Sequence, residues 1–272
     1  MLIPYNARTP SEQPPMILSK LHKFLFLKGR KVAGTSVEVF LSGICGPEDV
    51  ITPITPIDEK YRIDSGYRYA QNYGADPRKL ADYISSLTQA TTDDLASNNK
   101  SSPRGRFKGH MTYNEICNAH TEPIPKDYLI LAIARSPYQQ IMSRLNHMVN
   151  FKDYKQSGHD MHSSPSEYKE AMDKFIRNMK DNNWGSTWDL CTEKASNHIV
   201  VSRFLRFERL ESELKGLMNE LGISNPPSLP HLKKGQNNPD EFIKEITNPA
   251  QLKHINQTYA REFELLGYKT IE

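Results

Sequence analysis

The chain alternates between apolar runs of strand length and apolar stripes of helical spacing. Lys23-Phe24-Leu25-Phe26-Leu27 predicts a short buried strand, and Val37, Phe40, Leu41 and Ile44 then fall at i, i+3, i+4 and i+7, one face of a helix. Between them, Gly29 through Ser36 reads as a glycine-bracketed turn. Gly46 to Tyr73, rich in Pro, Asp and Tyr, reads as irregular. Asp76-Pro77 predicts a capped helix start before Leu80, Ile84 and Leu87, and the polar stretch 88–106 predicts a loop. Tyr128 to Ala134 is the most continuous apolar run, as expected of a central parallel strand covered on both faces. Ser136-Pro137 and Ser164-Pro165 predict two further helix starts, and Ile199 to Phe207 a third strand. Leu210, Leu214, Leu217 and Leu221 mark a helix ended by Gly222, and Asn248-Pro249 opens a last one running through Leu266. Strands alternating with helices predict an α/β fold with a parallel sheet and right-handed crossovers. With no repeat and no linker signal, 1–272 reads as one domain, residues 1–20 being an extended N-terminal tail.

Composition narrows the classes. Of 272 residues, 37% are hydrophobic and 25% charged, which suits a soluble globular protein able to bury its own core. A formal net charge of +3 carries no global nucleic-acid signature, so any anion must be held by local clusters. Cys45, Cys117 and Cys191 lie far apart with no metal-ligand spacing, which fits a reducing compartment. The first 19 residues lack the charged and apolar regions of a signal peptide, and no apolar run approaches the roughly 20 residues that span a bilayer. The expected location is cytoplasmic, with no membrane partner.

Two segments carry anion chemistry. Gly29-Arg30-Lys31-Val32-Ala33-Gly34-Thr35-Ser36 has nearly the G-x-x-x-x-G-K-[ST] spacing of a Walker A loop, but Thr35 stands where the lysine belongs and Lys31 comes earlier. Loop and helix N-terminal N–H groups can still face an anion, with Lys31 adding a point charge. What is lost is the usual arrangement for a nucleoside triphosphate with Mg²⁺, and no acidic residue evidently ends a strand to hold that metal. The second segment is Ala134-Arg135-Ser136-Pro137, continuing to Ser143. It places an arginine at a strand end, a proline at a helix start and a hydroxyl one to two turns in, a natural phosphate clamp.

Lys31-Val32-Ala33-Gly34-Thr35-Ser36 resembles the 5′-phosphosulfate loop of sulfotransferases that use 3′-phosphoadenosine 5′-phosphosulfate (PAPS). Arg135-x-Pro137 with Ser143 eight positions after the arginine resembles their 3′-phosphate motif, although Ser136 departs from the Asn or Asp often found there. The resemblance implies a P-loop NTPase-like three-layer fold with a central parallel sheet. It also implies PAPS as donor and PAP as product, with no metal required. Lys31 would then stabilise charge on the leaving phosphate, Thr35 and Ser36 would bind its oxygens, and Arg135 and Ser143 would hold the 3′-phosphate. Phe204 to Leu210 resembles the family's R-Y-E-D-L strand end, with a structural role. His231-Leu232-Lys233-Lys234-Gly235 resembles the basic loop that closes over the nucleotide, and equally suits a solvated basic loop.

Sulfuryl transfer needs a group to take the acceptor's proton. Phe107-Lys108-Gly109-His110-Met111-Thr112-Tyr113 resembles the G-H-V-S-Y segment of the uronyl 2-O-sulfotransferases, and it falls between the two phosphate motifs as theirs does. His110 is therefore the first candidate base and Glu38, on the helix after the loop, the second. His159 and His162 lie three apart with no third ligand, too thin for a metal site. Lys100, Arg104, Arg106 and Lys108 precede His110 and suit an anionic acceptor such as an acidic glycan, or simply solubilise a loop. The acceptor could equally be a small metabolite, and the oligomeric state is open. A nucleotide kinase using the near-Walker loop, or a non-catalytic nucleotide- or glycan-binding module, are the rival readings.

Overall fold

The computed structural model describes residues 16–97, 101–120, 122–157, 164–179, 186–230 and 239–272. The elements run β1 (Ile17–Ser19), β2 (Phe24–Leu27), α1 (Gly34–Ser42), β3 (Val50–Ile51), α2 (Pro56–Asp64), α3 (Pro77–Gln89), α4 (Thr92–Ser97) and α5 (Tyr113–Ala119). They continue with β4 (Leu129–Ala134), α6 (Pro137–Ser157), α7 (Pro165–Met179), α8 (Thr187–Cys191), β5 (Thr192–Glu193), β6 (His198–Ile199) and β7 (Arg203–Arg206). A 3₁₀ turn (Phe207–Arg209) leads to α9 (Leu210–Glu220), α10 (Pro239–Ile246), α11 (Pro249–Thr258) and α12 (Ala260–Leu266).

The chain divides into two compact units, each assembled from three stretches: 1–28, 33–133 and 190–232 in the first, 29–32, 134–189 and 233–272 in the second. The first unit is built on a mixed sheet of order β3-β1-β2-β4-β7. The expected parallel pairing is present at its centre, where Phe24 to Leu27 of β2 lie beside Leu129 to Ala132 of β4. β1 makes the sheet mixed, because it runs antiparallel to both β2 and β3. Leu25, Leu27, Ile130 and Ala132 pack into one core with Leu18, Val50, Phe107, Met111 and Ile116.

Several expectations from sequence are corrected here. Ile17–Ser19 is not extended tail but strand, because Met16, Ile17 and Leu18 are all buried. Asp49 fastens the turn after it, accepting from the Ser19 hydroxyl at 2.7 Å and from the backbone N–H groups of Lys20 and Gly46. The supposedly irregular stretch after Gly46 contains β3 and α2, the helix starting at Pro56 with Thr55 as its cap. Buried Glu59 fixes α2, accepting from the N–H groups of Ile54 and Ala70 and from Arg62. Within the stretch read as a loop, Thr91 and Asp94 exchange capping hydrogen bonds and start α4, whose Leu95 packs on Tyr83 and Leu87. The run from Ile199 breaks at 200–202. Its start pairs with β5 in a small separate sheet, and only Arg203–Arg206 joins the main one.

The second unit is helical. α6 packs on α7 and α10, and Tyr138, Ile141, Leu145, Met172, Phe175, Ile243 and Phe263 form its core. The Tyr138 hydroxyl bonds Asn256 and accepts from the Ile271 N–H, so the chain end is tied to the first turn of α6. The last predicted helix is two, α11 and α12, with a break at Tyr259. No helix among the described residues is long and apolar enough to cross a membrane.

Candidate active site

In the first unit the candidate chemistry starts where β2 ends. Lys28 follows the last strand residue, and its side chain is buried, not solvated. Its ammonium lies 2.8 Å from Glu38 Oε2 and 2.8 Å from Thr35 Oγ1, so one lysine reaches two residues of α1. Gly34 makes this possible: a Cβ there would sit 2.4 Å from Lys28 Cγ and 2.8 Å from Cε. The glycine of the loop motif therefore leaves room for a lysine stem. Both charged groups feel their burial. Desolvation pushes the Glu38 carboxyl up to about 7 against the pull of Lys28, and lowers the Lys28 ammonium below its ordinary value. Glu38 Oε1 is buried without a hydrogen-bond partner.

α1 begins without a side-chain cap. Ala33 holds the N-cap position at φ 63°, ψ 23°, left-handed and costly for a residue with a Cβ, and it makes no side-chain cap hydrogen bond. The N-terminal N–H groups at the positive end of a nine-residue helix suit an oxyanion.

His110 also belongs to the first unit. Buried Phe107 and Met111 bracket it, the Phe107 N–H donates to the Tyr73 carbonyl, and Thr112 caps α5 with Glu115 immediately after. The histidine itself sits at φ 48°. Its Nδ1 lies 2.8 Å from the Lys28 carbonyl oxygen, 82 residues away in sequence. A carbonyl can only accept, so Nδ1 carries the proton and the lone pair of the neutral ring is on Nε2. Strained backbone at Ala33 and His110 is maintained only where the surrounding structure demands it, as functional sites often do.

In the second unit the loop residue Lys31, at φ 57°, meets Arg135. One guanidinium nitrogen of Arg135 donates to the Lys31 carbonyl at 2.5 Å, and its Nε donates to Gln139 Oε1 at 3.3 Å. Gln140 donates to the Arg135 carbonyl at 3.0 Å, fixing the strand-to-helix corner. Arg135 and Ser136 are buried, and Ser143 is half-buried two turns into α6. Val32 is buried, while Lys31, Ala33, Thr35 and Ser36 are partly exposed.

Thus the first unit brings Thr35, Glu38 and His110 together around Lys28, and the second brings Lys31 to Arg135. Arg104, Arg106 and Lys108 are exposed. Lys100, the His159 and His162 pair, and Lys233, Lys234 and Gly235 lie outside the described residues. At the strand end resembling R-Y-E-D-L, Arg203 of β7 pairs with Glu220 of α9, while Arg209 and Glu213 form an i,i+4 pair at the start of α9. Lys28 is the residue that motif reasoning passes over. Its signal is indirect: an acid inside an apolar helical stripe needs a buried cation, and the strand-end lysine is within reach.

These features define a class first: an α/β protein whose leading strand turns into an uncapped helix start, with a histidine fastened to that turn. The sequence profile of the sulfotransferase family matches residues 14–269, and so runs through both units. The chain belongs to the sulfotransferase family, whose shared chemistry is sulfuryl transfer to an acceptor. No curated protein and no solved structure matches it.

Proposed function

We propose that the protein is a PAPS-dependent sulfotransferase acting on an acceptor hydroxyl, with His110 as general base, as one catalytic domain that needs no metal. The observation that carries this reading is the hydrogen bond from His110 Nδ1 to the carbonyl of Lys28. It ties the histidine of the third motif to Lys28, the residue just before the first, and it leaves Nε2 as the proton acceptor. PAPS supplies the sulfuryl group and a phosphate leaving group. The uncapped first turn of α1, with Thr35 and Ser36, binds the oxygens of the 5′-phosphate. Lys31 stabilises the charge that grows on the bridging oxygen as the sulfur–oxygen bond breaks. Arg135, already oriented by the Lys31 carbonyl and Gln139, supplies a charge-assisted contact to the 3′-phosphate, with Ser143 beside it. Nε2 of His110 takes the proton as the acceptor oxygen bonds to sulfur. Glu38 is the weaker candidate for that task because its carboxylate is buried and committed to Lys28. The exposed Arg104, Arg106 and Lys108 favour an anionic glycan as acceptor. Lys233, Lys234 and Gly235, outside the described residues, are assigned to the nucleotide on this reading by resemblance alone.

The test is turnover with labelled PAPS across a panel of acidic glycans and small hydroxyl compounds. His110→Ala should cut the rate by roughly 10²–10⁴-fold while PAP affinity changes little. The wild-type rate should rise with pH through the range where an imidazole titrates, and the variant should lose that rise. An active His110→Ala with an unchanged profile, beside an inactive Glu38→Gln, would make Glu38 the base.

A further inference from the structure

Lys28 belongs to no phosphate motif, yet its ammonium is the buried junction of the loop. The contact with Thr35 has a direction. An ammonium has three protons and no lone pair, so in the 2.8 Å contact the Thr35 oxygen must accept. A threonine hydroxyl owns one proton, and accepting from Lys28 leaves that proton to be donated elsewhere. Phosphate oxygens at neutral pH need donors. A threonine hydroxyl in a first helical turn can otherwise turn its proton onto nearby backbone carbonyls, and the lysine contact constrains this by engaging a lone pair.

The arrangement has its own supports. Glu38 Oε2 accepts a second hydrogen bond from the Lys28 ammonium at 2.8 Å, which offsets part of the cost of burying that charge. Gly34 leaves the space for the stem, since a Cβ would meet Cγ, Cδ and Cε, all within 2.9 Å. The backbone end of the same residue holds His110.

We infer that Lys28 is a positioning residue that sets the Thr35 hydroxyl as a donor toward the bound oxyanion, with Glu38 as its buried anchor. This rests on the reading of the loop as the 5′-phosphate site, and it adds a residue that acts through Thr35 without itself touching the nucleotide. It also assigns Glu38 a task other than proton abstraction. Because substitution of the lysine side chain leaves the Lys28 carbonyl in place, the two ends of the residue can be separated experimentally.

The experiment is a double-mutant cycle read by calorimetric titration of PAP, with pyrophosphate titrated in parallel. Lys28→Met should weaken PAP by about tenfold or more, the scale of a charge-assisted hydrogen bond, and Thr35→Val should do the same. The double variant should be no weaker than the weaker single one, because each substitution removes the same donated bond. Thr35→Ser, which keeps the hydroxyl, should retain affinity within about threefold. If Lys28→Met alone does not fold, Lys28→Met/Glu38→Gln removes both charges together and serves in the same cycle. Losses that multiply in the double variant, or a Thr35→Val that binds like wild type, overturn the inference. The same coupling must appear with pyrophosphate, so its absence there overturns the inference as well. Pyrophosphate binding with intact coupling but no PAP binding leaves the Lys28 role standing and instead overturns the sulfotransferase reading of the nucleotide. Binding of neither ligand overturns both.

Discussion

Gly34→Ala separates helix propensity from packing. Gly34 is the first residue of α1, and by propensity alone alanine there should stabilise by up to about 1 kcal/mol. The structure predicts the opposite sign. The new Cβ would lie 2.4 Å from Lys28 Cγ, where carbon atoms prefer roughly 3.5–4.0 Å, so the stem must move by about 1 Å. The contact falls on the middle of the chain, so the ammonium cannot stay on Thr35 and Glu38 while the stem moves aside. Breaking a buried ion pair costs about 3–5 kcal/mol, and subtracting the propensity gain leaves a net loss of about 2–4 kcal/mol. Urea unfolding followed by circular dichroism measures it directly. A control shows the cause: in a Lys28→Ala background there is no stem to meet, and Gly34→Ala should be neutral or stabilising by up to about 1 kcal/mol. If Gly34→Ala is as stable as wild type with Lys28 present, the packing argument is wrong.

Three further outcomes follow from the same geometry. Arg135→Ala should weaken PAP by about tenfold or more but leave 3′-dephospho nucleotides nearly unaffected in calorimetry; equal losses would make Arg135 structural. Lys31→Ala should reduce both PAP affinity and turnover, whereas His110→Ala should reduce turnover alone, a contrast seen by combining titration with initial rates. Glu38 titrates near 7 in the folded protein against 4.5 in a free chain. Its contribution to stability is therefore fully present below about 4.5 and lost as pH rises through about 7. Glutamine does not titrate, and an unpaired Lys28, its ammonium disfavoured by burial, would also become less costly as pH rises. Thermal unfolding should thus show Glu38→Gln costing less at pH 8 than at pH 5, and a cost that grows with pH would show that pairing with Lys28 outweighs the desolvation of the carboxylate.

The elements that carry the candidate site were legible in sequence because they announce themselves locally. A strand-length apolar run, two glycines and a helical stripe specify strand, loop and α1, and Ser136-Pro137 after Tyr128 to Ala134 specifies β4 and α6. What stayed hidden depended on partners distant in the chain. β1 is three residues long and becomes a strand only by pairing on both sides. α2 lies in a Pro- and Asp-rich stretch, where Thr55-Pro56 was the available start signal and buried Glu59 secures the result. α4 was masked by polar composition, although Thr91 and Asp94 carry the capping spacing. The direction of Lys28 had only the indirect signal of Glu38, since a lysine beside a glycine loop ordinarily points to solvent or ligand. Only the buried carboxylate of Glu38 turns it inward.

The most direct test of the account is a calorimetric titration of PAP and of ATP, each with EDTA and with Mg²⁺. On the proposed reading, Lys31, Arg135 and the start of α1 would supply the positive charge that a metal provides in nucleotide kinases. PAP should therefore bind equally well in EDTA and in Mg²⁺, and more tightly than ATP under either condition. Absence of PAP binding, with ATP bound only in the presence of Mg²⁺, would contradict the sulfotransferase site and return the loop to a nucleotide kinase.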